Sequence, residues 1–245
     1  MDITTVVGFL LLVGLVAAGV RTGQLPAFFL NVHGLGIVLG GSVSALIFNT
    51  PMKELMMALR ATAAIWSRDI FADETTIIEP AVALAEQVRK RGAAAWRDVD
   101  ASAGGGLLAQ AATVAGMHNE AQVVEEILIN EANRIFDIAT EASNVYRTLA
   151  ILAPMFGLLG TLIGIVSVLR QISNPEAVGP AMAVALTTAF YGISMANAIC
   201  IPIAGRIRIR ALHEHRARVI VCESVVSALR GEPPVSLRSR LEMVR

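Results

Sequence analysis

The chain has 245 residues, of which 55% are hydrophobic and 16% charged, with no formal net charge at pH 7 and a mean hydropathy of +0.62. This composition is too apolar for an ordinary soluble domain of this size, and we expect no nucleic-acid partner. The two cysteines, Cys200 and Cys222, indicate neither a disulfide nor a zinc site and are interpreted as packing residues.

Four long uncharged runs predict four membrane crossings. They are residues 3–20, 22–52, 148–169 and 177–205. Each is long enough, or nearly so, for a transmembrane helix, which needs about 20 apolar residues. The first run has no basic segment before it and no cleavage signal after it, so we interpret it as a retained helix. Within the second run, the helix is expected from about residue 34 to 49, with Pro51 ending it.

The basic residues predict an orientation. Eighteen of the 20 Lys and Arg lie in residues 53–147 or 206–245, while Arg21 and Arg170 occupy short breaks between apolar runs. By the positive-inside rule, both charged regions face the cytoplasm. The first region has a net charge of −5 and the second +5. The two can pack together through these charges, or each can be a solvated face.

These features predict an all-α membrane protein with a helical cytoplasmic part. Residues 1–52 form transmembrane helices 1 and 2, and residues 53–147 a cytoplasmic helical loop. Residues 148–205 form transmembrane helices 3 and 4, and residues 206–245 a cytoplasmic tail. No β pattern is visible.

Apolar spacing of three and four residues predicts helices within the loop. One is expected to start at Glu79-Pro80 and run toward Trp96, followed by a flexible joint at residues 104–106. A later helix continues into the third crossing without a breaker. The fourth crossing likewise continues into the tail, as one helix from about residue 181 to 230 that is roughly 75 Å long at 1.5 Å per residue.

The apolar runs contain no carboxylate. Asp2 is at the terminus and Glu176 is in the predicted second outer loop. A proton or sodium pathway usually needs an ionisable group or clustered oxygens within the membrane, so a partner must supply the acid if this chain moves ions. His213 and His215 lack further metal ligands, and no catalytic triad or nucleotide-binding motif is present. The sequence therefore predicts no metal site, no cofactor beyond a transported ion, and no enzyme.

Small residues line one face of the third crossing. Gly157, Gly160 and Gly164 recur at spacings of three and four, and Gly192 lies on a similar face of the fourth crossing. Such faces allow helices to approach closely. Alternatively, they surround another helix, and threonine hydroxyls such as Thr161 line a polar path beside it.

Two prolines interrupt these helices, Pro154 in the third crossing and Pro202 near the inner end of the fourth. A proline inside a helix leaves a carbonyl without its donor and permits a kink. Membrane helices often tolerate such a kink without functional consequence, and a kink that moves is the functional alternative.

Several segments together resemble a known family. They are APMFGLLGTLIG at 153–164, NP at 174–175, GPAMAVAL at 179–186, YG at 191–192, AN at 196–197 and IPIA at 201–204. They resemble the flagellar stator A subunit, in the MotA/PomA branch of the MotA/TolQ/ExbB ion-channel superfamily. The start of the chain and residues 38–42 resemble the family as well, so the similarity covers nearly the whole chain.

The resemblance implies a mechanism in the bacterial inner membrane. Five A subunits surround two B subunits, each with one transmembrane helix, an ion-binding aspartate and a peptidoglycan-binding domain. Ion passage turns the ring of A subunits, which pushes on the rotor's switch protein. Pro154 and Pro202 match the prolines that couple ion flow to movement, and Thr161 matches a hydroxyl near the ion site. Arg89, Lys90 and Asp98 fall in the rotor-contacting loop.

Two departures from the family bear on function. The family's fourth-helix threonine, which helps to hold sodium, falls on Ala189, with Thr187 and Thr188 just before it. The alanine favours a proton over sodium as the transported ion, although Thr188 can take the place of the family's threonine after a small shift of the helix. Arg97 stands where the family often has a glutamate. This departure weakens the expected rotor contact, so a non-flagellar motor that drives another envelope process stays an alternative. A TolQ/ExbB-like energiser is disfavoured by the fourth crossing, and a non-conducting scaffold is the remaining alternative.

Overall fold

The computed structural model describes residues 31–65, 75–118 and 120–243, together with single helical positions between 7 and 21. The predicted first crossing, residues 3–20, lies outside the continuously described residues. Within the described part, all regular structure is helical and no strand is present, as predicted.

Three described helices are long and apolar enough to cross a membrane. They are Val32–Asn49, Ala121–Arg170 and Val178–Leu229. They correspond to the second, third and fourth predicted crossings, and the total of four stays a prediction.

The chain forms two compact units. The first comprises Met1–Arg68 and Ala139–Arg208, and the second Asp69–Ile138 and Ile209–Arg245. The predicted boundaries at residues 52, 147 and 205 concern the membrane surface and stay a prediction.

In the first unit, helix α1 (Val32–Asn49) contains a π-helical segment, Gly36–Gly40. The Asn31 side chain caps its start by accepting a hydrogen bond of 3.0 Å from the Gly34 amide. Thr50 leaves the helix in an extended conformation, as expected for the residue before a proline, so the predicted end at Pro51 is confirmed. Helix α2 (Met52–Ile65) follows.

The second unit contains helix α3 (Thr75–Arg91), two 3₁₀ segments and helix α4 (Leu107–Met117). The helix predicted to run toward Trp96 changes to a 3₁₀ segment, Gly92–Asp98, because Gly92 takes a φ of +65°. The predicted joint at residues 104–106 is a run of three glycines with positive φ. Side chains rarely adopt this conformation, so the joint requires glycine.

Two long helical segments belong to both units. Helix α5 (Ala121–Arg170) has 50 residues, so the loop helix does continue into the third crossing. Helix α6 (Pro175–Ser194) continues through a π-helical segment, Met195–Cys200, into α7 (Ile201–Leu229). Glu176 is therefore in the first turn of α6 rather than in a loop. Helix α8 (Pro234–Met243), which the sequence did not single out, follows.

Each unit has its own hydrophobic core. The first core contains Leu46, Ala58, Ala142, Val145 and Ile207. The second is larger, and its fully buried side chains include Ile77, Leu108, Ile220, Leu237 and Leu241. Burying one such side chain stabilises a fold by roughly 1.5–3 kcal/mol, so α8 is anchored in the second unit by two leucines.

Candidate functional site

Helices α5 and α6 touch along the small residues predicted from the sequence. A Cβ atom added at Gly160 would lie 2.6 Å from the Thr188 Cβ, and one at Gly164 would lie 2.6 Å from the Ala185 Cβ. At Gly157, it would lie 2.9 Å from the Thr188 carbonyl oxygen. Real Cβ atoms do not approach other atoms this closely, so glycine is what lets the two helices meet.

Gly192 extends this contact to the proline of α5. A Cβ atom at Gly192 would lie 2.5 Å from the Ala153 carbonyl oxygen and 3.0 Å from the Pro154 Cα. Pro154 itself is half-buried, and it cannot donate to the carbonyl of Ala150 because it has no amide hydrogen. The turn of α5 that contains the proline is thus packed directly on the backbone of α6.

Thr187 and Thr188, two predicted ion-pathway residues, are 0% exposed. The Thr187 hydroxyl donates to the Ala183 carbonyl at 2.8 Å, and the Thr188 hydroxyl bonds the carbonyls of Val184 and Ala185, each at 3.0 Å. These bonds within the helix satisfy both buried hydroxyls.

The surroundings of these threonines are the neighbouring helices. A Cβ atom at Gly34 of α1 would lie 3.1 Å from the Thr188 Cγ2 and 3.3 Å from the Thr187 Oγ1. Thr188 therefore lies between Gly34 and Gly160, inside the protomer.

Thr161 and Ala189, the other predicted pathway residues, are half-buried. The Thr161 hydroxyl donates to the Leu158 carbonyl of its own helix at 2.6 Å. Of the three threonines, Thr161 alone keeps surface that an ion or another chain could reach.

Pro202 is exposed and lies two residues after the end of the π-helical segment Met195–Cys200. Because it has no amide hydrogen, it cannot bond the Ala198 carbonyl, and π segments are often found where a helix accommodates such a change. Two residues later, the Ala204 carbonyl accepts a buried hydrogen bond of 2.9 Å from the Ser143 hydroxyl of α5. Sequence reasoning missed Ser143, whose only signal is a polar residue on a helix face that turns out to be buried.

Two further contacts in the first unit were not predicted. The hydroxyls of Thr62 in α2 and Tyr146 in α5 share a hydrogen bond of 2.5 Å. The backbone amide of Asn31 donates a hydrogen bond of 2.9 Å to the Tyr191 hydroxyl, which joins the start of α1 to α6. Both pairs are far apart in sequence, so no local pattern could have revealed them.

The predicted rotor-contacting residues lie together in the second unit. Arg89 and Lys90 are exposed in the last turn of α3, and Arg97 and Asp98 are exposed in the following 3₁₀ segment. Asp98 forms an ion pair of 2.8 Å with Arg91, and both side chains are more than half exposed, so the pair contributes little to stability.

The remaining cations of this surface have no partner in the described part of the chain. In the described part of the structure, no hydrogen bond or ion pair engages the side chains of Arg89, Lys90 or Arg97. They are available to an acidic partner, whereas Asp98 is already neutralised by Arg91.

The loop after this segment is held by Asp100. Its Oδ1 accepts hydrogen bonds from the Ser102 amide and the Ser102 hydroxyl, each at 2.9 Å. Both bonds favour the charged form of the Asp100 carboxyl and hold its pKa below the usual range. The bond from the Ser102 backbone amide has the larger effect, and the bond from the Ser102 hydroxyl the smaller one.

Cys222 lies in the predicted cytoplasmic tail and is 1% exposed. Burial, with smaller contributions from the carboxylates of Glu125 and Glu223, raises the pKa of its thiol to about 12. The thiol is therefore protonated and inert, which agrees with its interpretation as a packing residue.

Residues 105–218 match the MotA/TolQ/ExbB proton channel family. A motility protein A from Aquifex aeolicus is 31% identical to this chain over 96% of it and 92% of the relative. The chemotaxis protein PomA of Vibrio alginolyticus is 27% identical over 99% of this chain and 94% of the relative.

Two solved structures share the fold. One is a chain of the C. jejuni MotAB structure, which superposes with a TM-score of 0.85 at 17% sequence identity. The superposition includes 100% of this chain and 96% of the C. jejuni chain. The other is a chain of the flagellar MotAB stator complex from Bacillus subtilis, with a TM-score of 0.83 at 23% sequence identity. That superposition includes 99% of this chain and 95% of the Bacillus subtilis chain. With near full-length similarity in both sequence and fold, the chain belongs to the MotA/PomA branch of the MotA/TolQ/ExbB proton channel family.

Proposed function

We propose that this chain is the A-type subunit of a flagellar stator and couples inward ion flow to rotation. The observation that carries this proposal is its 31% identity, over nearly its whole length, to a motility protein A. The proposal includes location in the bacterial inner membrane, with the charged loop and tail in the cytoplasm, as the distribution of basic residues favours.

The chain supplies the walls of the ion pathway and a partner supplies the acid. Residues 148–169 and 177–205 contain no carboxylate, and a B-type subunit with a single transmembrane helix and a peptidoglycan-binding domain provides the ion-binding aspartate. Ala189 in place of a sodium-holding threonine favours a proton as the transported ion. Thr161 is the pathway hydroxyl, because the protomer buries Thr187 and Thr188 completely.

Five copies of the chain form the ring around this partner. Helix α5 presents a broad apolar surface for the partner helix, for the neighbouring copies and for lipid. The exposed side chains include Met155, Leu158, Leu162, Val166 and Leu169. Exposed apolar area of this extent is stable in a bilayer or at a protein interface and is unusual on a soluble monomer.

Pro154 and Pro202 convert ion passage into movement of the helices, and the exposed cations of the second unit contact the rotor's switch protein. Support for the first point is the packing of Gly192 on the turn of α5 that contains Pro154, through which a change in one helix reaches the other. Support for the second is that Arg89, Lys90 and Arg97 lack partners within the described part of the chain.

Motility of cells lacking the gene tests the proposal. We expect paralysed but flagellated cells, rescued by the wild-type gene and not by Pro154→Leu. Pro233→Leu is the matched control, since Pro233 is an exposed proline in the turn before α8, and it should rescue fully. Normal swimming of the deletion strain would contradict the flagellar role and favour another ion-driven envelope motor.

A further inference from the structure

We propose that an alanine-lined cavity of the second unit is the anchoring pocket for the rotor's switch protein. It would receive an apolar side chain from an acidic segment of that protein. The inference rests on the proposed stator function, and it adds to the charged surface a specific apolar contact that the sequence did not indicate.

The cavity has a volume of about 670 Å³ and lies between the first 3₁₀ segment and α4, within the usual size of binding clefts. Trp96 and Ala112, which are 7% and 1% exposed, are among its lining residues and are almost fully buried. Arg97 and Thr113 also line it, and both are exposed. The cavity lining therefore combines small apolar side chains with a cation and a hydroxyl.

Most of the lining consists of residues without flexible side chains. They are Ala93, Ala94, Ala101, Ala109, Ala112 and Gly116. Alanine and glycine lose no rotamer freedom when a partner binds, and Asp100 holds the loop that carries Ala101 through its two bonds to Ser102. A pre-organised pocket of this kind binds with a small entropic cost.

The charges around the cavity select an acidic occupant. Arg97 has no partner in the described part of the chain, and Arg89 and Lys90 lie nearby in sequence in the same condition. Asp98 is engaged by Arg91, and Asp100 is the one other acid between residues 89 and 100. Arginine is also one of the residue types that often dominate binding energy at an interface.

The test measures binding of the purified switch protein to the full A–B complex in lipid nanodiscs. Thr113→Phe places an aromatic ring at the cavity and removes only a hydrogen bond from the Thr113 hydroxyl to the Ala109 carbonyl of the same helix. We expect the affinity to fall at least tenfold. The matched control is Ala83→Phe at an exposed position of α3 outside the cavity, which should stay within twofold of the wild type.

A second variant tests the charge. Arg97→Glu should also weaken binding at least tenfold and reduce its dependence on salt, while Arg97→Lys should retain most of the affinity. Proton flux through the complex should be unchanged in Thr113→Phe, which shows that the variant folds and assembles.

Wild-type affinity in both Thr113→Phe and Arg97→Glu would overturn the pocket and leave the stator function intact. Absence of any binding by the wild-type complex would overturn the pocket together with the proposed rotor contact. The two failures are distinguished by the wild-type measurement alone.

Discussion

Replacing Gly192 by alanine tests the close contact between α5 and α6. The added Cβ would lie 2.5 Å from the Ala153 carbonyl oxygen, whereas ordinary contact begins at 3.4 Å. The backbone would therefore have to give way by about 0.9 Å next to Pro154. Overpacking of this kind costs roughly 1–3 kcal/mol, and alanine recovers roughly 0.5–1 kcal/mol through its higher helix propensity.

Gly205→Ala is the matched control. Gly205 is also inside a helix, but a Cβ atom there meets nothing within 4 Å, so the variant gains helix propensity without overpacking. The difference in free energy of unfolding between the two variants is then the overpacking cost itself, about 1–3 kcal/mol. Titration of the purified protein with SDS in mixed micelles measures it. Equal stability of the two variants would show that the helices do not approach as closely as described.

Three further predictions concern polar side chains that are buried or half-buried. Ser143→Ala removes the hydrogen bond to the Ala204 carbonyl and should destabilise the protein by about 1 kcal/mol in the same titration, so an unchanged midpoint would exclude that bond. Tyr146→Phe should cost a similar amount, about 1 kcal/mol, by removing the bond to Thr62, and the loss should disappear in a Thr62→Val background. Cys222 should resist maleimide labelling at pH 7.5 until the protein is unfolded, because its thiol is buried and protonated, and rapid labelling of the folded protein would contradict its burial.

The sequence predicts the helical architecture well because the bilayer restricts the possibilities. A backbone that crosses a membrane must satisfy its hydrogen bonds internally, so uncharged runs of suitable length become helices. The continuity of α5, and of α6 with α7, follows from the absence of helix-stop signals. Pro51 also acts as predicted, since the residue before a proline avoids helical geometry.

The local details depend on tertiary contacts that the sequence does not display. The sequence carries no signal for the π-helical segments Gly36–Gly40 and Met195–Cys200, and the first forms in a helix without a proline. The change to a 3₁₀ segment after Arg91 depends on the positive φ of Gly92. Ser143 and Tyr146 bond residues 61 and 84 positions away, so periodicity along one helix cannot identify them.

The candidate site divides in the same way. Helical spacing predicts that Gly157, Gly160 and Gly164 share one face, and in the structure these glycines lie against α6. The spacing cannot decide whether Thr187 and Thr188 face a pathway or a neighbouring helix. The structure buries both completely and leaves Thr161 accessible.

The most direct test of the central claim is proton flux into liposomes containing this chain alone or together with its B-type partner. The four uncharged runs, residues 3–20, 22–52, 148–169 and 177–205, contain no carboxylate, so we expect no flux above the lipid background from the chain alone. Flux should appear with the wild-type partner and vanish when the partner's membrane aspartate is replaced by asparagine. Robust flux from the chain alone would contradict the account, because the ion would then need no acid from the partner.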